Sequence, residues 1–488
     1  MAFLDFNQRT FSINYEEFTK ERYNSTIDDT VKRRKIHRIF IVIFSLGAAG
    51  IAFYLGALFP YGTNPLKYLT LAWVMGIPVI LMDLYWYFKY ARPFLKIPDN
   101  VPTPKDRIIF QLTTIGRSPL TVLNSISSVH YWARKYALNY ESWVITEENA
   151  EILSAKYSDR IKSLGTRIVV VPKYYTTPKG TLSKARALHY ACELRKREIG
   201  LSEKVWIYHQ DDETTVGEDT VLGICDFINR KEGTIGAGII IYPLDFVNTA
   251  PHVQELTRSY DDFRTMGTLL TKRNPMVGFH GSHFLVRQDI EDSVGNDFGT
   301  RGAIAEDFLL EQAIRLRYGK QYSVLRGFAY EKSASNVRGS LSQRRRWFIG
   351  GMGVYSIGFI PFYKKVILFY MHLSWLSAIL SIFSMIASVI LKYGSIIEFS
   401  GVVVGLVWYG MFMMYYEGIN INKAYLPMLN KTQLIRNAVI GALCEAAAPW
   451  YSLFTFKKWM VWLQKDSGTP DLGESKASML PTPGGKGR

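Results

Sequence analysis

Three consecutive acids, Asp211-Asp212-Glu213, follow the apolar run Val205 to Ile207 in the stretch WIYHQDDETTV. A strand that delivers three carboxylates to one point serves a cation site, a general-base site or a solvated acidic turn. Two further groups follow in the chain: Glu306 and Asp307 in IAEDFLLEQAI, and Gln343, Arg346 and Trp347 in SQRRRWFIG. These residue types suit the displacement of a diphosphate by a hydroxyl. Departure of the diphosphate calls for a divalent cation on hard carboxylate oxygens. Asp211 and Glu213, two apart at a strand end, can reach one such ion, directly or through water. Attack by the hydroxyl calls for a carboxylate base within hydrogen-bond reach, a role open to Asp307 at a helix start. Arg346 and Lys184 are candidate cations for the phosphate oxygens.

The elements that must position these groups are short apolar strands alternating with helical stretches. RIIFQLTT (Arg107 to Thr114), SWVITEE (Ser142 to Glu148), TRIVVVP (Thr166 to Pro172) and KVWIYHQDDE read as strands, and VLNSISSVHYWARKYA as a helix. Continuous apolar strands separated by helices predict an α/β domain with a mostly parallel, Rossmann-like sheet covered on both faces. Ligands of such sheets sit at the carboxyl ends of the strands, which puts Thr113, Thr114, Glu147, Pro172 and Asp211 on one rim. The three acids are then in a cleft. No G-x-G-x-x-G and no P-loop pattern occurs, so a dinucleotide enzyme or an ATPase is poorly supported.

The remaining chain is of a different kind. Across 488 residues, 48% hydrophobic and 14% aromatic, the apolar residues concentrate in runs at 39–58, 69–87, 366–391, 396–416 and 434–454. Each is about the length that crosses a bilayer as a helix. The net charge of +16 gathers beside these runs, as in VKRRKIHR before the first, which favours a membrane edge over nucleic acid as its partner. The first run starts too far into the chain for a cleaved signal. Cys192, Cys225 and Cys444 show no paired spacing and suit a reducing compartment. Positive flanks put the aqueous domain in the cytosol. The expected organisation is a cytosolic segment 1–38, two spans in 39–90, the α/β domain in 94–345, an interfacial segment 346–364, membrane helices in 365–456 and a cytosolic tail 457–488. Within 434–456, Glu445 and Pro449 suggest a helix that breaks and re-enters, with Glu445 facing an acceptor entrance; five full spans is the alternative.

Five segments resemble glycosyltransferase family 2, inverting nucleotide-sugar enzymes of the GT-A fold, and within it the Egghead-type membrane β-mannosyltransferases. They are VVVPKYYTTPKGTLSKARALHYACE, HQDDET, GSHFLV, AEDF and QRRRW, in the family's order over roughly residues 105 to 350. The resemblance implies donor contacts at Thr113, Thr114, Arg117, Glu147, Lys184, Arg186 and Asp211. It implies metal ligation, by Mg or Mn, at Asp211 and Glu213, where the second acid of the family's D-x-D is Glu. It implies a base at Asp307, and acceptor or diphosphate contacts at Gln343, Arg346, Trp347, Glu306, His280 and Gly281. The expected activity is transfer of a hexose, first mannose from GDP-mannose, to a lipid-linked or glycolipid hydroxyl with a β-linkage, by a multi-pass membrane protein acting as a monomer. A processive polysaccharide synthase shares these motifs, and a transporter with a nucleotide-binding regulatory domain is the reading from another class. His209 is expected to be buried and structural, and Asp212 is given no role.

Overall fold

The computed structural model describes residues 15–33, 65–76, 95–244, 246–272, 280–391 and 400–455, with a few isolated positions between them. The apolar runs at 39–58 and 69–87 and the tail 457–488 lie largely or wholly outside these residues.

Eight strands form one sheet in the order β3-β2-β1-β4-β7-β6-β8-β5. They are β1 (Arg107–Thr113), β2 (Tyr140–Glu147), β3 (Thr166–Val171), β4 (Val205–Gln210), β5 (Thr215–Val216), β6 (Ile235–Leu244), β7 (Phe284–Arg287) and β8 (Tyr322–Lys332). All six residues of β4 and all ten of β6 are buried, as strands covered on both faces require. β1 pairs in parallel with β2 and β4, and β2 with β3, so the chain leaves the sheet at one common rim after Thr113, Glu147, Val171 and Gln210. The other half is mixed, which corrects the mostly parallel expectation. β7 runs antiparallel between β4 and β6, and β5 antiparallel to β8, while β6 and β8 are parallel. β7 is entered from β6 and left for β8 through long helical connections, which permit either direction, and its four residues pair antiparallel with both β4 and β6.

The helices between strands are α1 (Pro119–Lys135), α2 (Ala155–Ser163), α3 (Ser183–Ile199), α4 (Glu218–Arg230), α5 (Ala250–Lys272), α6 (Gln288–Val294), α7 (Gly299–Gly302) and α8 (Glu306–Tyr318). In α1, Pro119 opens the first turn, where its missing N–H costs nothing, and Arg134 and Lys135 close the last, where they meet the carbonyl end of the dipole. Beneath β4 lies a buried polar cluster. Arg195 of α3, with no exposed surface, donates to Asp292 at 3.0 Å and to Glu291 at 3.1 Å, while His209 stacks on Phe284 and reaches Glu291 at 3.1 Å. His209 is thus structural, as expected. Arg195→Met leaves two buried carboxylates without their cation and is expected to cost about 3–5 kcal/mol, read as a lowered Tm in detergent.

After the sheet come α9 (Val337–Val354), α10 (Phe362–Leu391), α11 (Ser400–Asn422) and α12 (Lys431–Phe454). Among the described residues, one helix, Phe362–Ser384 within α10, is long and apolar enough to cross a membrane, with mean hydropathy 1.9 and 6% of it buried. α12 runs unbroken through Pro449, so the break expected there does not occur. Proline deprives the carbonyl four residues back of its donor. Here that carbonyl belongs to Glu445, and the indole of Trp375 donates to it at 2.8 Å, replacing the missing bond. The N-terminal segment packs on the α/β domain. Residues 20–33 form a helix against the α/β domain: Phe18 stacks on Tyr330 at 3.7 Å, the Tyr23 hydroxyl donates to Leu95 O at 2.7 Å, and Arg33 pairs with Glu417 of α11 at 3.3 Å.

Candidate active site

The turn after β4 is short and fixed. Thr214 N donates to Asp211 O and Asp211 N to the Thr214 hydroxyl, both at 3.1 Å, and that hydroxyl donates to Glu331 at 2.8 Å. Within the acidic trio the outer and middle residues separate. Asp212 is 3% exposed; its Oδ2 accepts from the Thr114 hydroxyl at 3.3 Å and its carbonyl from Ser125 at 2.9 Å. It ties the end of β1 to the end of β4. Asp211 and Glu213 remain partly exposed at the cleft.

Lys184, in the first turn of α3, reaches across the rim. Its Nζ lies 2.5 Å from Asp211 Oδ1, 3.1 Å from Gly281 O and 3.8 Å from Glu306 Oε1. One ammonium therefore links the β4 acid to the acids that open α8. Gly281 makes room for it: a Cβ there would fall 2.7 Å from Lys184 Nζ and 3.6 Å from Asp307 Oδ2. Asp307 is half-buried, and its Oδ1 accepts the N–H of Phe308 at 2.8 Å, leaving Oδ2 toward Gly281. Burial raises the Asp307 carboxyl above the ordinary aspartate range, against the pull of Lys184, and nearby Asp211 adds to the rise. Glu306 is raised as well, first by burial and then by Asp307. Two acids adjacent in one half-closed cleft are pushed upward, which is how a base is poised nearer neutrality.

On the other side of the rim, Arg186 pairs with Glu147 and donates to Tyr175 O at 2.8 Å. It fastens the end of β2 to the loop after β3, so of the two cations in SKARAL only Lys184 turns to the acids. Thr113 is buried with a hydroxyl that has no hydrogen-bond partner among the described residues, while Thr114 is engaged with Asp212 and with Gly116 N at 2.9 Å. Gly116, at φ +75°, lets this loop pass under the one after β2; a Cβ would lie 2.6 Å from that of Ala150. Arg117 is exposed beside it.

The QRRRW segment lies on α9, a helix set by the Asn336 side chain accepting Gly339 N at 2.9 Å. Gln343 accepts from Arg344 at 3.0 Å, Arg346 is half-buried and Trp347 is 37% exposed. Arg344 is buried and pairs with Glu255. Before Gly281, His280 is held by Asp262 and lies 3.2 Å from Arg258; burial opposes its charge, but Asp262 outweighs it and the ring titrates above its ordinary range. Neither histidine of GFHGSHF is exposed: His283 bonds Tyr208 at 2.8 Å and Gly327 O at 3.1 Å.

Sequence reasoning missed Glu331, which is 5% exposed and accepts from Thr214 and, at 2.5 Å, from Ser282. Its signal was present: Tyr330-Glu331-Lys332 ends an apolar strand with an acid, the same pattern that singled out Asp211. Glu255, Arg258 and Asp262 were missed because only the helical spacing of α5, and not any motif, gathers them.

Among the described residues no three His, Cys, Asp or Glu side chains gather as an all-protein metal cage. A magnesium-like ion does not need one, since it binds through one or two carboxylates together with substrate phosphates. The partly exposed, hard oxygens of Asp211 and Glu213, in a cleft that already recruits an ammonium to Asp211, fit such an ion.

Residues 206–417 match the model of glycosyl transferase family group 2. The β-1,4-mannosyltransferase egh of Drosophila melanogaster is 33% identical over 239 residues, 47% of this chain and 50% of the relative. The β-1,4-mannosyltransferase bre-3 of Caenorhabditis elegans is 28% identical over 249 residues, 50% of this chain and 52% of the relative. The matched stretch thus spans about half the length of these relatives. Among solved structures, a mannosyltransferase from Pyrobaculum calidifontis in complex with GDP-Man and Mn2+ superposes with a TM-score of 0.46 at 13% identity, covering 80% of this chain and 99% of its own. The stretch that resembles glycosyl transferase family group 2 is thus the one that holds Asp211, the Glu306–Asp307 pair and Trp347.

Proposed function

We propose that the chain is an inverting, membrane-bound glycosyltransferase that moves mannose from GDP-mannose to a lipid-linked hydroxyl, forming a β-linkage in one displacement. The observation that carries this reading is the Lys184 bridge: one ammonium joins Asp211 at the strand end to the Glu306–Asp307 pair across Gly281. Leaving group and attacking hydroxyl need opposite services within one cleft, charge neutralisation and proton removal. Asp307 supplies the second, with Oδ2 taking the acceptor proton as the hydroxyl attacks the anomeric carbon. Glu147, Arg186 and the buried Thr113 hydroxyl line the rim where a nucleotide would lie, and Lys184 offers its charge to the departing diphosphate. A divalent cation held by Asp211 and Glu213 would, when bound, stabilise the negative charge developing on that diphosphate. The mannosyl assignment draws on the egh and bre-3 relatives. The lipid assignment draws on the apolar runs, on the exposed apolar surface of α10 and on α9 joining the cleft to it. By the same argument the chain crosses the membrane several times with the cleft on the cytosolic side.

The test is a screen of nucleotide sugars with Mg or Mn, following nucleoside diphosphate release with and without lipid extract. Lipid-stimulated GDP release from GDP-mannose, with one sugar added per lipid, is expected. Release from every donor but GDP-mannose removes the mannosyl assignment, and a growing polymer makes the chain a synthase.

A further inference from the structure

Glu445 is a carboxylate within CEAAAPW, an otherwise apolar part of α12. Its side chain is 40% exposed, and one of its oxygens is nonetheless held by two partners. Its Oε2 accepts from Arg344 Nε at 2.9 Å and from Gln254 Nε2 at 2.5 Å, and Gln254 in turn accepts from Ser340 of α9 at 2.7 Å. Arg344 already has a buried partner in Glu255, reached through Nη1. Neutralisation therefore does not require a second carboxylate. What the second one adds is direction. With Nε and Nη1 held by two different helices, the planar guanidinium cannot turn.

That plane touches one thing of consequence. The guanidinium carbon of Arg344 lies 4.8 Å from the centroid of the Trp347 ring, one helical turn onward in α9, and that of Arg258 lies 4.6 Å from the same centroid. Arg258 also donates to Glu255 at 3.2 Å and approaches His280, the neighbour of Gly281, at 3.2 Å. A single line of charged contacts thus runs from α12 through α9 and α5 to the loop facing Asp307. Trp347 keeps 37% of its surface open at the end of it.

We infer that Glu445 is a positioning residue: acting through Arg344, it fixes the indole of Trp347 as the platform against which the acceptor sugar lies. An aromatic ring with its orientation set by two cations offers a fixed apolar surface to the C–H side of a sugar. This inference rests on the proposed reading of the cleft as a sugar-transfer site. It adds that a helix outside the α/β sheet sets acceptor affinity, while the donor side is held independently by Glu147, Arg186 and Asp211.

The experiment uses the full chain in detergent with GDP-mannose as donor and octyl β-glucoside as the acceptor probe. Glu445→Ala is expected to raise KM for octyl glucoside about tenfold, the size of one charge-assisted hydrogen bond. It is expected to leave kcat, KM for GDP-mannose and acceptor-independent GDP release within about twofold, the pattern of lost uniform binding. Trp347→Ala should raise the same KM, and the double variant should be no worse than Trp347→Ala alone, because both act through one group. An unchanged acceptor KM in Glu445→Ala, or losses that add in the double variant, overturns the inference. Loss of acceptor-independent release in Glu445→Ala makes the residue a structural support and overturns it too. If Trp347→Ala leaves the acceptor KM alone, the platform is refuted while the sugar-transfer reading stands. A wild-type chain inert toward GDP-mannose removes both, and shows itself before any variant is made.

Discussion

Asp307→Asn is expected to lower sugar transfer by about 10²–10⁴-fold, the range that a positioned general base contributes. The fall should lie in kcat, with KM for the donor nearly unchanged, because an amide keeps the shape and the hydrogen bond from Phe308 N but takes no proton. Steady-state transfer of labelled mannose measures it, and a variant that retains wild-type kcat refutes the role. The pH dependence gives a second readout. Burial raises the Asp307 carboxyl above the ordinary aspartate value of 3.8, and Asp211 adds to the rise. A base must be ionised to act, so transfer is present above the raised value and is lost as pH falls through it. The acid limb of kcat/KM therefore belongs above the usual aspartate range, and it reports on the Glu306–Asp307 pair together, since the Asp307 charge raises its neighbour Glu306.

The second large effect is at Asp211. Asp211→Ala is expected to reduce kcat by about 10³-fold, corresponding to several kcal/mol of stabilisation of the leaving diphosphate. Raising the concentration of Mg or Mn should recover little of it. The variant also removes one partner of Lys184, whose charge is then drawn toward Glu306 and Asp307. Asp212→Asn makes the contrast. That residue joins Thr114 to the turn after β4, so its replacement should appear in Tm rather than in kcat. If Asp211→Ala and Asp212→Asn affect the rate equally, the division of labour among the three acids is wrong.

Much of this cleft was legible in the residues. Four strands were readable from β-branched and aromatic runs that end in polar groups, and the rim rule then gathered Thr113, Glu147 and Asp211 at the place where β1, β2 and β4 leave the sheet. Glu306 and Asp307 were readable as acids in the first turn of a helix. The mixed half of the sheet was not legible, because strand direction depends on which connection closes over which face, and β7 is only four residues long. The path of α12 was misread for a similar reason. Pro449 argues locally for a break, and nothing local announces that a tryptophan 74 residues earlier in sequence than Pro449 will satisfy the carbonyl it strands. The same distance hid Glu255, Arg258 and Asp262: each is an ordinary polar residue of a helix until α9 packs on the first two and His280 on the third.

The N-terminal helix bears on how this chain can be divided. Phe18 covers Tyr330 of β8, Phe18 O receives the N–H of Glu218 that opens α4 at 2.7 Å, and Asn24 exchanges hydrogen bonds with Ile97 at 2.9 Å in both directions. From the far end, Asn422 of α11 receives Tyr242 N of β6 at 2.8 Å. The catalytic unit is therefore assembled from three stretches of polypeptide that lie on both sides of the apolar runs. A fragment cut at residue 94 would bare Tyr330 and the end of α4, and a fragment cut at residue 345 would leave the middle of β6 with an uncapped N–H. What reads in sequence as a removable soluble module is, as a physical object, inseparable from the segments that flank it.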